Sequence, residues 1–264
     1  MARAYFSLTR ATIRAQAQYR LSFVVDVVGA SLGVTMDLAA ILVFFRVTRS
    51  LGGFPLREAF LMGTIATSGF AMADLVGGNV DRLRFHVRTG RLDALLVRPL
   101  GLLPQLLCED FTLRRTGRVA QGLVAYAIAL GFAHLAWTPA RAVLAVLAPL
   151  CAAVFFTALF VAGGTVAFWW VESGEFANGF TYGGRDFTSY PLTVYSGLFR
   201  RVFGYSMGFA FVAYYPALVL LGHPDPLGGP AWLGWCAPLV AGAAALAAAA
   251  IWRFGVRHYR STGS

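Results

Sequence analysis

Apolar residues fall in long runs along this chain, and the polar residues gather between them. The first run covers about 21–45 and is closed by Arg46, Arg49, Gly52, Gly53 and Pro55. A second covers 59–76, and the longest polar stretch, 77–118, follows it. The third run, 119–137, turns tightly at 138–141 into a long fourth, 142–170. A mixed stretch rich in Gly, Tyr and charge occupies 171–203. The fifth run, 204–221, ends at a loop containing His223-Pro224-Asp225-Pro226, and the sixth, 232–252, runs into a basic tail. Each run approaches the roughly 20 mostly apolar residues that a helix needs to cross a bilayer. The pattern predicts an all-α, polytopic membrane protein of about six transmembrane helices, forming a single domain over 1–264. The stretch 171–203 fits a cytoplasmic or interfacial segment, with a re-entrant segment or part of a broken fifth span as alternatives.

Composition agrees with this: 58% of the chain is hydrophobic and 13% charged, against about 25% charged residues in a soluble domain. The net charge of +10 comes from 22 arginines and no lysine. These arginines sit between the apolar runs, where they set topology rather than grip nucleic acid. With the N-terminus inside, Arg46, Arg49, Arg57 and Arg141 fall outside and the rest fall in cytoplasmic segments. The expectation is a multi-pass protein of the bacterial plasma membrane with both termini cytoplasmic. Residues 1–20 carry Arg3, Arg10, Arg14 and Arg20, so they lack the apolar core of a cleavable signal. They fit an interfacial amphipathic helix whose apolar face is Tyr5, Phe6, Leu8 and Ile13. Cys108, Cys151 and Cys236 are odd in number and contain no CxxC, which argues against a disulfide framework.

Chemistry is sparse. A nucleotide-binding P-loop needs a lysine that this chain does not possess. No HExxH or GxSxG occurs, and His86, His134, His223 and His258 are scattered. No enzyme, cofactor or metal site is expected within the chain. Asp26, Asp37 and Asp74 fall inside the predicted spans, where ionisable groups are costly and tend to face protein or an aqueous path. Asp26 and Asp37 are separated by a number of residues that brings them within about 20° of each other on a helix. Gly29 and Gly33 form a small-xxx-small pattern along the same side. One reading is a pathway for a polar or cationic substrate; the other is pairing with nearby arginines. The second carries more weight for Asp26, beside Arg20, and the two are level for Asp37 and Asp74. The alanine-rich last run reads as packing.

The polar stretch after the second run contains Gly90-Arg91-Leu92-Asp93-Ala94-Leu95-Leu96-Val97-Arg98-Pro99-Leu100. Leu92, Leu95 and Leu96 stand at i, i+3 and i+4, which predicts a short amphipathic helix near 91–98, ended by Pro99 and Gly101. Its apolar stripe needs a membrane surface or a partner's groove.

This run resembles G-[TR]-L-[ED]-x-L-L-x-x-P-L, the segment after the second span of ABC-2 type permeases, with Asp93 at the position more often glutamate. A second block resembles a small six-span ABC-2 subfamily, some of whose members are known as viologen exporters. It comprises Phe187-x-x-Tyr190-Pro191-x-x-x-Tyr195, Phe199-Arg200, Phe211-Val212-Ala213-Tyr214-Tyr215-Pro216-Ala217 and Leu220-Leu221-Gly222. Where that subfamily carries proline near 205–208, this chain has Tyr205-Ser206-Met207-Gly208. An aromatic belt at the membrane interface is the alternative reading of Tyr190, Tyr195, Tyr214 and Tyr215. The resemblance implies the ABC-2, or type V exporter, fold and the permease subunit of an ATP-driven exporter. It implies that Arg91, Leu92, Asp93, Leu95, Leu96 and Arg98 form the coupling helix that docks on an ABC ATPase subunit. Two ATPase copies carrying ATP and Mg would sit beneath, and a second permease, identical or homologous, would complete the path. The alternatives are a stand-alone channel or secondary transporter, though no repeat relates the two halves of the chain, and, more remotely, a membrane-embedded enzyme.

Overall fold

The computed structural model describes residues 48–109 and 113–259, together with isolated helical positions between Val25 and Phe45. The interfacial helix expected over 1–20 lies outside the described residues. The elements are α1 (Leu56–Gly77), α2 (Leu83–Arg88), α3 (Arg91–Leu96), α4 (Leu102–Glu109), α5 (Leu113–Phe132), α6 (Pro139–Thr165), α7 (Gly174–Thr188), α8 (Gly197–Ser206), α9 (Tyr214–Leu221) and α10 (Ala237–His258). No β-strand occurs among the described residues.

The central helix is α1. Its first residue follows Pro55, which holds the extended backbone that precedes a helix. It is apolar on most sides and buried on most sides, as expected of a helix enclosed by others. Its neighbours α5 and α6 approach closely because small residues meet at the contacts. Gly122 of α5 lies against the backbone of Ser68, and Gly69 faces Ala152 of α6. Thr64 and Ser68 donate their hydroxyls to the Phe60 and Thr64 carbonyls at 3.0 and 2.6 Å, so neither leaves a polar group unsatisfied in an apolar interior. The Tyr126 hydroxyl of α5 donates to the Ala145 carbonyl of α6 at 2.8 Å. α6 starts on a Thr138 cap that accepts from the Arg141 amide, with Pro139 in its first turn. Along α6 runs α10, whose buried small residues Ala241, Ala248 and Gly255 permit the approach.

Leu56–Arg88, Pro139–Phe168 and Ala237–His258 are each long and apolar enough to cross a membrane. The predicted third span corresponds to α5, which is less apolar at its start because Arg115 and Arg118 occupy the first turns. Its other end reaches the turn into α6.

The fifth span differs from the sequence expectation. At its start α7 packs near Arg84 and Gly163, beside the C-terminal end of α6. The chain just beyond α7 meets the opposite end of the bundle, where the Thr193 hydroxyl donates to the Gly52 carbonyl at 2.6 Å. So the segment 174–194 runs from one end of the bundle to the other, with α7 packed on α1 and α6, where the sequence reading placed a cytoplasmic or interfacial segment. Gly174, Ala177, Thr181, Gly184 and Phe187 form its buried face.

The stretch read as the fifth span is a re-entrant hairpin. Gly197–Ser206 and Phe209–Leu221 are bent by 63°, and both limbs open on the same end, near Gly52 on one side and Arg141 on the other. The kink needs no proline. Gly208 has φ +85°, which favours glycine, and a Cβ there would stand 2.8 Å from Val240 Cγ1.

The bundle therefore has an arginine end (Arg84, Arg88, Arg91, Arg98, Arg253 and Arg257) and a loop end (Gly52, Thr138 and Asp225). Relative to the sequence reading, Arg185 moves into the bundle, its guanidinium 5.4 Å from the centre of the Phe70 ring. Arg200 and Arg201 move to the hairpin. The arginine bias keeps its sign.

Candidate functional site

At the arginine end, α1 continues through a 3-10 turn, Gly78–Arg82, into α2. Gly90, at φ +68°, then reverses the chain into α3. The predicted amphipathic helix is present and ends at Leu96. Two of its three stripe leucines are already used inside the chain. Leu92 and Leu95 are buried with Val80, Leu83, Val87, Leu102, Leu106 and Trp252. The expectation that Leu92, Leu95 and Leu96 together enter a partner's groove is corrected here: only Leu96 of the three faces outward, 42% exposed. Next to it Val97 is 86% exposed, and Arg91 and Arg98 flank the two, exposed. The result is a small outward apolar face rimmed by cations. The platform is fastened from behind, where the buried Gln105 amide donates to the Leu95 and Leu100 carbonyls at 3.1 and 3.0 Å. Asp93 accepts a hydrogen bond from the Tyr259 hydroxyl at 3.0 Å.

Behind this platform lies Asp74, near the end of α1. Its carboxylate pairs with Arg118 at 2.6 Å and Arg115 at 3.5 Å, both from α5. Arg115 also donates to the Asn79 side-chain oxygen at 2.7 Å, and Asn79 donates to the Leu107 carbonyl of α4 at 3.2 Å. The cluster joins α1, α5 and the platform, and within it the single carboxylate of Asp74 is held by two guanidinium groups. Sequence reasoning singled out Asp74 but missed Asn79, Arg115 and Arg118 as its setting. Their spacing along the chain carries no local signal. Asp26 and Asp37 lie outside the described residues. Gly29, in the small-residue pattern beside them, has no neighbour among the described residues within 4 Å of where a Cβ would stand.

The loop end is organised by Asp225. Its carboxylate accepts from the Tyr214 hydroxyl at 2.6 Å, the Tyr215 hydroxyl at 3.2 Å, and the Leu227 and Gly229 amides at 3.0 and 3.1 Å. Tyr214 and Tyr215 are buried, so for these two the aromatic-belt reading gives way to one in which they anchor the 222–235 loop. His223 faces the buried Glu58 at 3.4 Å. A cleft of about 560 Å³ opens here, walled by Arg141, Tyr215, Leu218, Pro230 and Trp235. The remaining motif aromatics cluster along α7 and the hairpin: Phe187 stacks on Tyr195 at 4.2 Å, and Phe199 lies 4.5 Å from Phe203.

Long apolar helices, a re-entrant hairpin at one end and a helical platform at the other define an all-α, polytopic integral membrane protein. The family model described as ABC-2 family transporter protein matches residues 32–263. The chain belongs to that family and is a permease component of an ABC transporter. Permeases of this family generally work with ABC ATPase partners. No curated protein and no solved structure matches the chain.

Proposed function

We propose that this permease forms half of the translocation path of an ATP-driven exporter in the bacterial plasma membrane, with the arginine end and both termini in the cytoplasm. A second permease, identical or homologous, supplies the other half, and two copies of an ABC ATPase sit beneath the pair. ATP and Mg are held by the ATPase, and this chain contributes no residue to hydrolysis. Its part is a bundle with two packings, whose balance nucleotide binding shifts.

The observation that carries this reading is the division of labour within α3. Leu92 and Leu95 fix the helix to its own bundle, while Leu96 and Val97 remain outside between Arg91 and Arg98. An apolar face of this kind, held rigidly and rimmed by cations, suits a groove with an acidic margin on a partner. A polar or cationic substrate leans on Asp26 and Asp37, since Asp74 is already neutralised by two arginines.

The test follows from the same division. Leu95→Asp would place a charge in the buried cluster and damage the platform itself, so the informative positions are the exposed ones. Leu96→Asp with Val97→Asp is expected to leave membrane insertion and thermal stability unchanged while the ATPase no longer co-purifies. Full retention of a coupled ATPase by that double variant would remove the coupling role from α3. Transport that proceeds without ATP would instead favour the channel or secondary-transporter reading.

A further inference from the structure

We infer that Tyr259 is a positioning residue for ATP-driven transport: it fastens the coupling helix to the last spanning helix, so that a displacement of α3 is delivered to α10 and along it to the tip of the re-entrant hairpin. This rests on the coupling role proposed for α3.

Tyr259 is the residue at which α10 ends, its backbone already extended. Its hydroxyl reaches Asp93 in the first turn of α3 at 3.0 Å. Its ring packs against Phe168 at 5.9 Å, and Phe168 packs against Trp252 at 5.6 Å. The residue thus has an apolar side seated on α10 and its neighbour and a polar tip on the coupling helix. Burial, the hydrogen bond and the Asp93 carboxylate all push the phenol pKa upward, which keeps it a donor. The covalent route from α3 back to α1 is a poor transmitter by comparison. It passes the reversal at Gly90, the short α2 and a 3-10 turn. By contrast α10 is one uninterrupted helix of 22 residues, about 33 Å long, with its proline confined to the first turn. Near its other end Val240 lies against Gly208, where the hairpin bends. One rod therefore touches the coupling helix at the arginine end and the hairpin tip within the bundle.

The experiment uses the full permease with its co-purifying ATPase in liposomes of phosphatidylethanolamine and phosphatidylglycerol. Tyr259→Phe keeps the ring and its contact with Phe168 but removes the donor. Co-purification is expected to be unchanged, permease-dependent stimulation of ATP hydrolysis to fall several-fold, and amide exchange over 91–98 to accelerate about tenfold. Asp93→Asn, which keeps an acceptor oxygen, is expected to retain most of the stimulation. Asp93→Ala is expected to lose at least as much stimulation as Tyr259→Phe, and adding Tyr259→Phe to it should cost little more, because the shared contact is already gone. Unaltered stimulation in Tyr259→Phe, with the ATPase bound, overturns the inference while leaving the coupling role of α3 intact. An unaltered permease that binds no ATPase would instead overturn the coupling role, and the inference with it.

Discussion

Asp74 holds a negative charge where almost no water reaches, and its stability depends on Arg115 and Arg118. Removing one member of a buried ion pair leaves the other charged and unpaired, which costs roughly 3–5 kcal/mol. Arg118 keeps 27% of its side chain exposed, which places the cost toward the lower end of that range. Asp74→Ala is therefore expected to lower the unfolding temperature of the detergent-purified permease and its abundance in the membrane, whatever substrate is supplied. An unchanged unfolding temperature together with altered substrate preference would return Asp74 to the substrate path. The same residue marks where sequence reading reaches its limit. An acid inside an apolar run is visible in the sequence, but the partners that neutralise it lie on another helix, and there the arginines read only as topology signals. Leu92 and Leu95 show the same limit. Their spacing reports that a face is buried, and spacing carries no information on whether the burying surface belongs to this chain or to a partner.

At the level of elements, the helices that are apolar on all sides were legible, and the segments that mix small, polar and aromatic residues were not. Glu175, Asn178, Arg185 and Asp186 make α7 look like a solvated stretch, yet Gly174, Ala177, Thr181 and Gly184 give it a thin face that fits between α1 and α6. Hydropathy averages over both faces and so hides such a helix. The hairpin was hidden for the converse reason: 204–221 is apolar enough to resemble a span, and what makes it turn back is a backbone angle at Gly208. Gly208→Ala tests that account. Left-handed backbone costs a non-glycine residue roughly 1–2 kcal/mol, and the added methyl also presses on Val240 and Phe155. A lower unfolding temperature is expected. Pairing the change with Val240→Ala should recover only the contact portion, because the backbone strain stays. An unfolding temperature equal to that of the unaltered permease would mean that Gly208 does not hold the bend.

For the molecule as a whole, the remaining question is which end faces the cytoplasm. Arg84, Arg88, Arg91, Arg98, Arg253 and Arg257 lie exposed at one end. Cytoplasmic loops hold the excess of basic residues, and each such residue near an anionic leaflet is worth about 1 kcal/mol. Moving Arg185, Arg200 and Arg201 out of the cytoplasmic set narrows the asymmetry without reversing it. Two exposed residues on opposite ends make the prediction specific: Val97 on the coupling platform and Val194 at the turn before the hairpin, beside Gly52. With Cys108, Cys151 and Cys236 replaced by alanine, Val194→Cys is expected to react with a membrane-impermeant maleimide in intact cells. Val97→Cys is expected to react only after the cells are opened. The pair separates two ways of failing. If the two cysteines label in the reverse order, the arginine end is outside, and an ATPase could not reach α3. If both label from the same side, α7 does not traverse the bundle, and the chain returns to the topology in which 204–221 is the fifth span.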